Sequence, residues 1–70
     1  MQTVDARGLK CPLPLVKTKL ALENARPGET VRVLATDREA PIDLAAWAGK
    51  HGHLFRELAP GEFELTKRSR

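Results

Sequence analysis

One residue present once dominates the chemistry open to this chain. Cys11 is the single cysteine among 70 residues, and it sits in the run Lys10-Cys11-Pro12-Leu13-Pro14. A lone cysteine cannot close an intramolecular disulfide, so a reducing compartment suits it, and any covalent chemistry at its sulfur must involve a second molecule. Proline is at home in the first turn of a helix, where backbone N–H groups have no internal partner and the ring fixes φ in advance. Cys11 precedes a proline and is pushed to extended geometry, which suits an N-cap, with its sulfur set to meet the free N–H of Leu13. Leu13 also precedes a proline, so Pro14 is an alternative first residue; either frame keeps Cys11 within a turn of the positive end of the helix dipole. That dipole, the free N–H, Lys10 and Arg7 all favour thiolate over thiol.

A pKa drop of ~2 units from near 8.5 would raise thiolate at pH 7 about 25-fold while intrinsic nucleophilicity fell about 8-fold, a net rate gain of only ~3-fold. The expected benefit is therefore an anionic sulfur, or an anionic sulfur bonded to it, held at a fixed exposed place for a partner to collect. The competing reading is a small buried hydrophobe, which would need neither a rigid turn nor an adjacent lysine. Other chemistry is thinly supported. Metal binding would have to assemble Cys11, His51 and His53, and Gly52 between the histidines reads as a turn. His51 reads as space-filling at the end of a core stripe and His53 as a solvent-facing strand entry. Nothing orients either histidine as the base of a cysteine hydrolase, and a redox sensor would lack a resolving cysteine.

The elements that must position Cys11 follow from periodicity. Val4 and Ala6 alternate with polar neighbours as a short strand, and Gly8 lets the chain turn. Pro12 to Ala25 are good helix formers, stopped by Pro27-Gly28 in the order that suits a type II turn. Thr30 to Thr36 puts Val31, Val33 and Ala35 on one face of a strand. A second helix spans about Pro41 to Lys50, with Asp43 near its positive end, Gly49 and Gly52 loosening its far end, and Ala40, Leu44, Trp47, Ala48 and His51 as its core stripe. Leu54, Arg56 and Leu58 alternate, Ala59-Pro60-Gly61-Glu62 turns, and Phe63 and Leu65 mark a last strand. The order is βαβαββ, an α+β two-layer sandwich with two helices on one face of a four-stranded mixed sheet. The first helix carries two apolar lines: Leu15, Thr18, Leu22 and Ala25, assigned to the core, and Leu13, Val16 and Leu20, which either pack against the second helix or form an exposed docking patch.

Composition sets the outer bounds. At this length a single domain over residues 1–70 is expected, and with 41% hydrophobic residues, nine of them alanine, its core will be thin. Pro12 to Val16 and Leu44 to Ala48 are far short of the ~20 apolar residues of a membrane span, and Met1 to Asp5 does not read as a signal peptide, so a cytoplasmic place is expected. The net charge is +3. Residues 1–20 carry +3, residues 21–66 carry −3 and the tail Lys67 to Arg70, expected to be frayed, another +3, so positive charge gathers near Cys11 in sequence.

At these residues the chain strongly resembles the TusA/SirA/YedF family of small sulfur-carrier proteins. Asp5-Ala6-Arg7-Gly8-Leu9-Lys10-Cys11-Pro12-Leu13-Pro14 looks like the family signature around its active cysteine, and the likeness continues through Pro27-Gly28-Glu29, Ala35-Thr36-Asp37, Asp43-Leu44, Trp47-Ala48 and Gly52-His53. The resemblance implies the same βαβαββ sandwich. It implies that Cys11 receives sulfane sulfur as a persulfide from a cysteine desulfurase or rhodanese-like donor and relays it to an acceptor protein, as in tRNA thiolation, molybdenum cofactor synthesis or sulfur oxidation. Gly8, Lys10, Pro12, Leu13 and Pro14 then shape the site, and Asp37 and Asp43 match positions of structural caps. Some relatives bear another cysteine where this chain has Ala48, which removes internal resolution of a persulfide; Ala40-Pro41 also departs from the usual residues.

On this reading the chain is a carrier, sulfurtransferase-like, more than a stand-alone enzyme. It needs no cofactor and no metal, meets no membrane, contacts nucleic acid at most indirectly, and acts as a monomer. Arg7, Val16, Lys17 and Lys19 are the expected docking residues, the lysines steering toward an acidic donor surface. The alternative is a small basic RNA-binding module with Arg32 and Arg56 on an open sheet face. Phe55 and Phe63, its available aromatics, make a weak stacking platform.

Overall fold

The structure, a computed structural model, describes residues 2–68. Six elements follow one another: β1 (Gln2–Ala6), α1 (Leu13–Glu23), β2 (Thr30–Ala35), α2 (Ala40–His51), β3 (Leu54–Ala59) and β4 (Glu62–Thr66). This is the βαβαββ order that alternation and helix-former runs predict. The strands form one sheet in the order β1-β2-β4-β3. β1 and β2 are parallel, joined across the sheet by α1, while β4 runs antiparallel to both β2 and β3.

Register explains which side chains meet. Val4 lies beside Val33, which lies beside Phe63; Val31 lies beside Leu65, and Ala6 beside Ala35. Side chains directly opposite in neighbouring strands share a face, so these seven make one apolar surface, and all are buried. Both helices cover that surface. From α1 come Pro14, Thr18, Ala21 and Leu22, and from α2 come Ala40, Leu44 and Ala48. Thr18 answers its buried hydroxyl within the helix, donating to the Pro14 carbonyl at 2.8 Å.

Several expectations shift in detail. The buried stripe of α1 is turned by part of one residue spacing, so Pro14 and Ala21 join Thr18, Leu22 and Ala25 while Leu15 sits half-buried at the rim. The second line stays outside: Leu13 is 48% exposed, Val16 42% and Leu20 54%. α2 cannot reach it, because the line points away from the sheet that both helices share. In β3 the residue that reaches the core is Phe55, half-buried and stacked on Phe63, whereas Leu54 and Leu58 are exposed.

The turns are specified locally. Glu29 N–H closes on the Arg26 carbonyl at 2.9 Å with Gly28 at φ +87°, the expected type II turn. Gly52, left-handed at φ +76°, ends α2, and His53 N–H reaches back to the Ala48 carbonyl at 2.9 Å. Gly49 lies inside the helix, so Gly52 alone makes the stop. Lys67, expected to be frayed, is tied down: its N–H donates to Glu29 O at 2.9 Å and its Nζ to the Ala25 carbonyl at 2.9 Å, satisfying a free carbonyl beyond the end of α1. Ser69 and Arg70 of that tail, like Met1, lie outside the described residues. Among the described residues no helix is long and apolar enough to cross a membrane.

Gly61 is the most constrained glycine. It sits at φ +80°, and a Cβ there would stand 2.9 Å from the Ala35 carbonyl oxygen. Its own carbonyl accepts from Ala35 N–H at 3.0 Å, which fastens the β3–β4 hairpin to the end of β2. Gly61→Ala combines a left-handed alanine with a backbone clash and is expected to lower stability by about 2 kcal/mol. The thermal midpoint should fall by roughly 10 °C, read by circular dichroism; an unchanged midpoint would show that the hairpin is free to shift.

Candidate functional site

β1 and β2 are parallel neighbours that end together at Ala6 and Ala35, so the loops that follow them emerge side by side. The carboxyl ends of parallel strands are where such folds gather their sites. Gly8 N–H donates to Thr36 Oγ1 at 2.9 Å, the first stitch between the two loops. Asp37 makes the second: its Oδ2 accepts the Cys11 N–H at 2.6 Å, its Oδ1 accepts the Glu39 N–H at 3.3 Å, and its carbonyl accepts the Ala40 N–H at 3.1 Å. One carboxylate thus ties the cysteine backbone to the start of α2.

Cys11 is exposed, which removes the buried-hydrophobe reading. Its place at the helix start differs from the N-cap expected. Pro12 is the N-cap of α1, the Cys11–Pro12 peptide is cis, and Leu13 N–H, the expected partner of the sulfur, donates instead to the Lys10 carbonyl at 2.8 Å. The thiol turns to α2 and donates to Asp43 Oδ2 at 3.0 Å. The electrostatic expectation is reversed with it. The Asp43 hydrogen bond, then some loss of hydration, then the negative charges of Asp43, Glu39 and Asp37 push the thiol up from 9.0 to about 11. Among the described residues no Lys or Arg pairs with those three carboxylates.

Arg7, one of the expected counter-charges, is engaged elsewhere. Its Nε and Nη2 each donate to the Asp5 carboxylate at 2.9 Å, which holds the Asp5 carboxyl down at about 2. Lys17 leans to the same strand end, its Nζ 3.3 Å from the Asp5 carbonyl. Lys10 is exposed beside Cys11 and, with Gly8, Leu9, Thr36, Asp37 and Arg38, lines an open hollow of about 320 Å³ that Cys11 does not enter. Among the described residues the exposed sulfur lies outside this hollow.

With this geometry fixed, known proteins can be compared. A family profile described as "Sulfurtransferase TusA" matches residues 2–68. The chain belongs to the TusA family. NMA0882 of Neisseria meningitidis, provisionally named a sulfur carrier, is 45% identical over 65 residues, covering 93% of this chain and 88% of that protein. YrkF of Bacillus subtilis, also provisionally named a sulfur carrier, is 46% identical over 52 residues, which cover 74% of this chain but 28% of that longer protein. A solved SirA-like protein of Desulfitobacterium hafniense superposes with a TM-score of 0.73 at 33% identity, covering 94% of this chain and 93% of that one. The fold expected from the sequence is thus found in a solved relative.

In this TusA-family chain the site residues read from sequence fall into two groups. Gly8, Lys10, Cys11, Pro12, Leu13 and Pro14 lie on one continuous loop and helix start, with Pro14 buried in the first turn of α1 and Cys11, Pro12 and Leu13 exposed. Val16 and Lys19 are exposed on α1, whereas Arg7 and Lys17 lean on Asp5. Missed were Asp43 as the hydrogen-bond partner of the sulfur, Glu39 as a carboxylate near it, and Asp37 as the partner of the Cys11 amide. The resemblance does point to Asp43 and Asp37, but as caps; the N-cap of α2 is Glu39, whose N–H Asp37 holds, and both aspartates also serve the Cys11 loop. Cys11, Glu39 and Asp43 bring one donor atom each within 4.8 Å of one another, with Cys11 and Glu39 exposed and Asp43 half-buried.

The histidines behave differently from expectation. His51 is exposed and not in the core; His53 is half-buried, its Nδ1 accepting Arg68 N–H at 3.1 Å, and burial beside cationic neighbours pushes it below the usual histidine range. Both rings pack on Trp47, at 5.3 and 5.0 Å, well apart from Cys11 in the sequence and on the far end of α2. The RNA reading also loses support. Phe55 lies opposite Leu65 and Phe63 opposite Val33, so both aromatics face the helices. The open face carries Asp5, Glu62 and Glu64, and Arg32 there is paired with Glu62.

A thiol held near 11 dictates a pH profile. The reactive thiolate exists above the thiol pKa and is lost below it, so alkylation of Cys11 by iodoacetamide should rise about tenfold per pH unit from pH 7 to near pH 10 and level off only around 11. Timed intact-mass measurements check this. A rate already level by pH 8 would restore the thiolate expected from sequence.

Proposed function

We propose that the chain is a sulfur carrier in which Cys11 takes sulfane sulfur from a protein persulfide, a cysteine desulfurase or rhodanese-like donor, and yields it to an acceptor protein. The observation that carries this reading is the exposed, single thiol at the stitched loop of a TusA-family fold, open to a visiting protein. In the loading step the Cys11 sulfur attacks the outer sulfur of the donor. A new S–S bond forms as the donor's S–S bond breaks, the donor leaves as a thiol carrying the proton that Cys11 gives up, and no net oxidant or reductant is consumed. Delivery is the same exchange with an acceptor thiol as the attacking group. With one cysteine the chain cannot resolve its own persulfide as a disulfide, which suits a relay. Incubation with a cysteine desulfurase and free cysteine should add one sulfur atom by intact mass, removable by reductant; Cys11→Ser should take up none. A wild-type chain that gains no sulfur would overturn the reading.

Docking falls to the exposed line Leu13, Val16 and Leu20, which begins two residues from the sulfur and runs along the outer face of α1 beside Lys17 and Lys19. Apolar anchors at the centre of an interface supply most of its energy, and flanking lysines chiefly tune encounter with an acidic donor surface. Val16→Glu with Leu20→Glu should slow loading by a protein donor about tenfold or more while leaving iodoacetamide alkylation near the wild-type rate. Equal loss in both assays would mean that the substitutions disturb the fold.

A further inference from the structure

Three carboxylates approach the sulfur from the element packed against its loop, and each comes from a different position. Asp43, in the first turn of α2, accepts the thiol proton at 3.0 Å. Asp37, in the β2–α2 loop, accepts the Cys11 amide at 2.6 Å, and Glu39, just before α2, is close enough for its carboxylate to lie within 4.8 Å of the sulfur and of Asp43. Lys10 adjoins Cys11 on its own loop, and Arg38 stands between Asp37 and Glu39; neither is paired with a carboxylate among the described residues. Carriers of exposed sulfur face a selectivity problem: the site must take sulfur from its donor yet ignore oxidants, alkylating agents and small polysulfides that can reach an uncovered thiol equally well.

We propose that Asp43 is the specificity-determining residue of Cys11: its carboxylate keeps the proton on sulfur in the free protein, so that sulfur enters from a donor that brings a positive group over Asp43 and Glu39. The proposal rests on the sulfur-carrier reading and goes beyond it by naming the lock and the chemistry of what opens it. A lysine or arginine seated against Asp43 competes for its oxygens and offsets the negative charge facing the sulfur, and the thiol then ionises more readily. A reagent in solution that carries no positive group, uncharged or anionic, brings nothing to offset Asp43 and meets a thiol. The attack itself is unchanged. The Cys11 sulfur bonds to the donor's outer sulfur, the donor S–S bond breaks, and the proton released from Cys11 passes to the departing donor sulfur.

The test compares wild type, Asp43→Asn and Asp43→Glu in two assays, with circular dichroism confirming the fold of each. In the free protein, Asp43→Asn should bring the alkylation inflection down from about 11 toward the ordinary thiol range. For a fall of ~2 units, thiolate rises about 100-fold and its intrinsic reactivity falls about 8-fold, so alkylation by iodoacetamide and sulfur uptake from inorganic polysulfide at pH 7.5 should both rise about tenfold. Loading by a cysteine desulfurase with free cysteine should rise far less, so the ratio of desulfurase loading to polysulfide uptake should fall fivefold or more. Asp43→Glu, which keeps a carboxylate, should retain most of the wild-type ratio. Unchanged alkylation in Asp43→Asn, or desulfurase loading that rises in the same proportion as polysulfide uptake, would overturn the proposal. If the wild-type chain accepts sulfur from neither source, the sulfur-carrier reading fails, while the alkylation profile still reports whether Asp43 holds the proton.

Discussion

The parallel pairing of β1 with β2 is the constraint on which the site depends. Parallel strands need a crossover, and α1 supplies it, which obliges the chain to leave β1 and enter a helix within a few residues. The same pairing ends both strands at one level, Ala6 beside Ala35, and so brings the loop that starts α1 against the loop that starts α2. A cysteine at residue 11 and a carboxylate at residue 43 become hydrogen-bonded neighbours for that reason alone. Asp37 fixes the contact by accepting an amide from each loop, so the position of the sulfur is set by backbone and not by the thiol's own weak hydrogen bond. Loss of Asp37 would therefore disturb the sulfur without touching it.

The fold was legible because its signals are local. Val31, Val33 and Ala35 alternate, Phe63 and Leu65 alternate, and Pro27-Gly28 and Pro60-Gly61 mark turns whose glycines do take positive φ. The prominence of Cys11 was legible too, from its uniqueness and the flanking prolines. Its electrostatics were not. Charge counted along the chain surrounds Cys11 with Arg7, Lys10, Lys17 and Lys19, yet the hydrogen-bond partner of its thiol stands 32 residues away. Arg7 is consumed by Asp5, two residues off, so one of the cations close to Cys11 in sequence is spent elsewhere. The one available signal was the placement of Asp43 in the first turn of α2, where a carboxylate suits the dipole equally well. Choosing between a cap and a thiol partner requires the relation of the two loops, which no local pattern carries.

The two apolar lines of α1 teach the same distinction between pattern and packing. Leu13, Val16 and Leu20 have helical spacing as good as that of Thr18, Leu22 and Ala25, and sequence alone allowed the first set to meet α2. In a two-layer sandwich with both helices on one face, a helix offers its neighbour a flank and the solvent its back. The line occupies the back. Three large apolar side chains left in water beside an exposed thiol are a costly arrangement in a chain whose core is this thin, since each is worth about 1.5–3 kcal/mol when fully buried. Covering by a partner would recover part of that, and the cover would extend over the sulfur.

Cover alone, however, would not ready Cys11 for attack. An uncharged surface laid over the sulfur removes water from the thiolate as well as from the carboxylates, and desolvation disfavours the charged form of a thiol. The apolar line and the acidic surround of the sulfur thus make separate demands on a partner. Contact along Leu13, Val16 and Leu20 can hold a donor in place, but the proton leaves Cys11 more easily only when positive charge arrives opposite Asp43 and Glu39. A surface that met the first demand without the second would bind and shield the thiol, keeping it protonated. Discrimination between productive and idle complexes then lies in the charge next to the sulfur and not in the area that the complex buries, in keeping with the weak relation between area and outcome at protein interfaces.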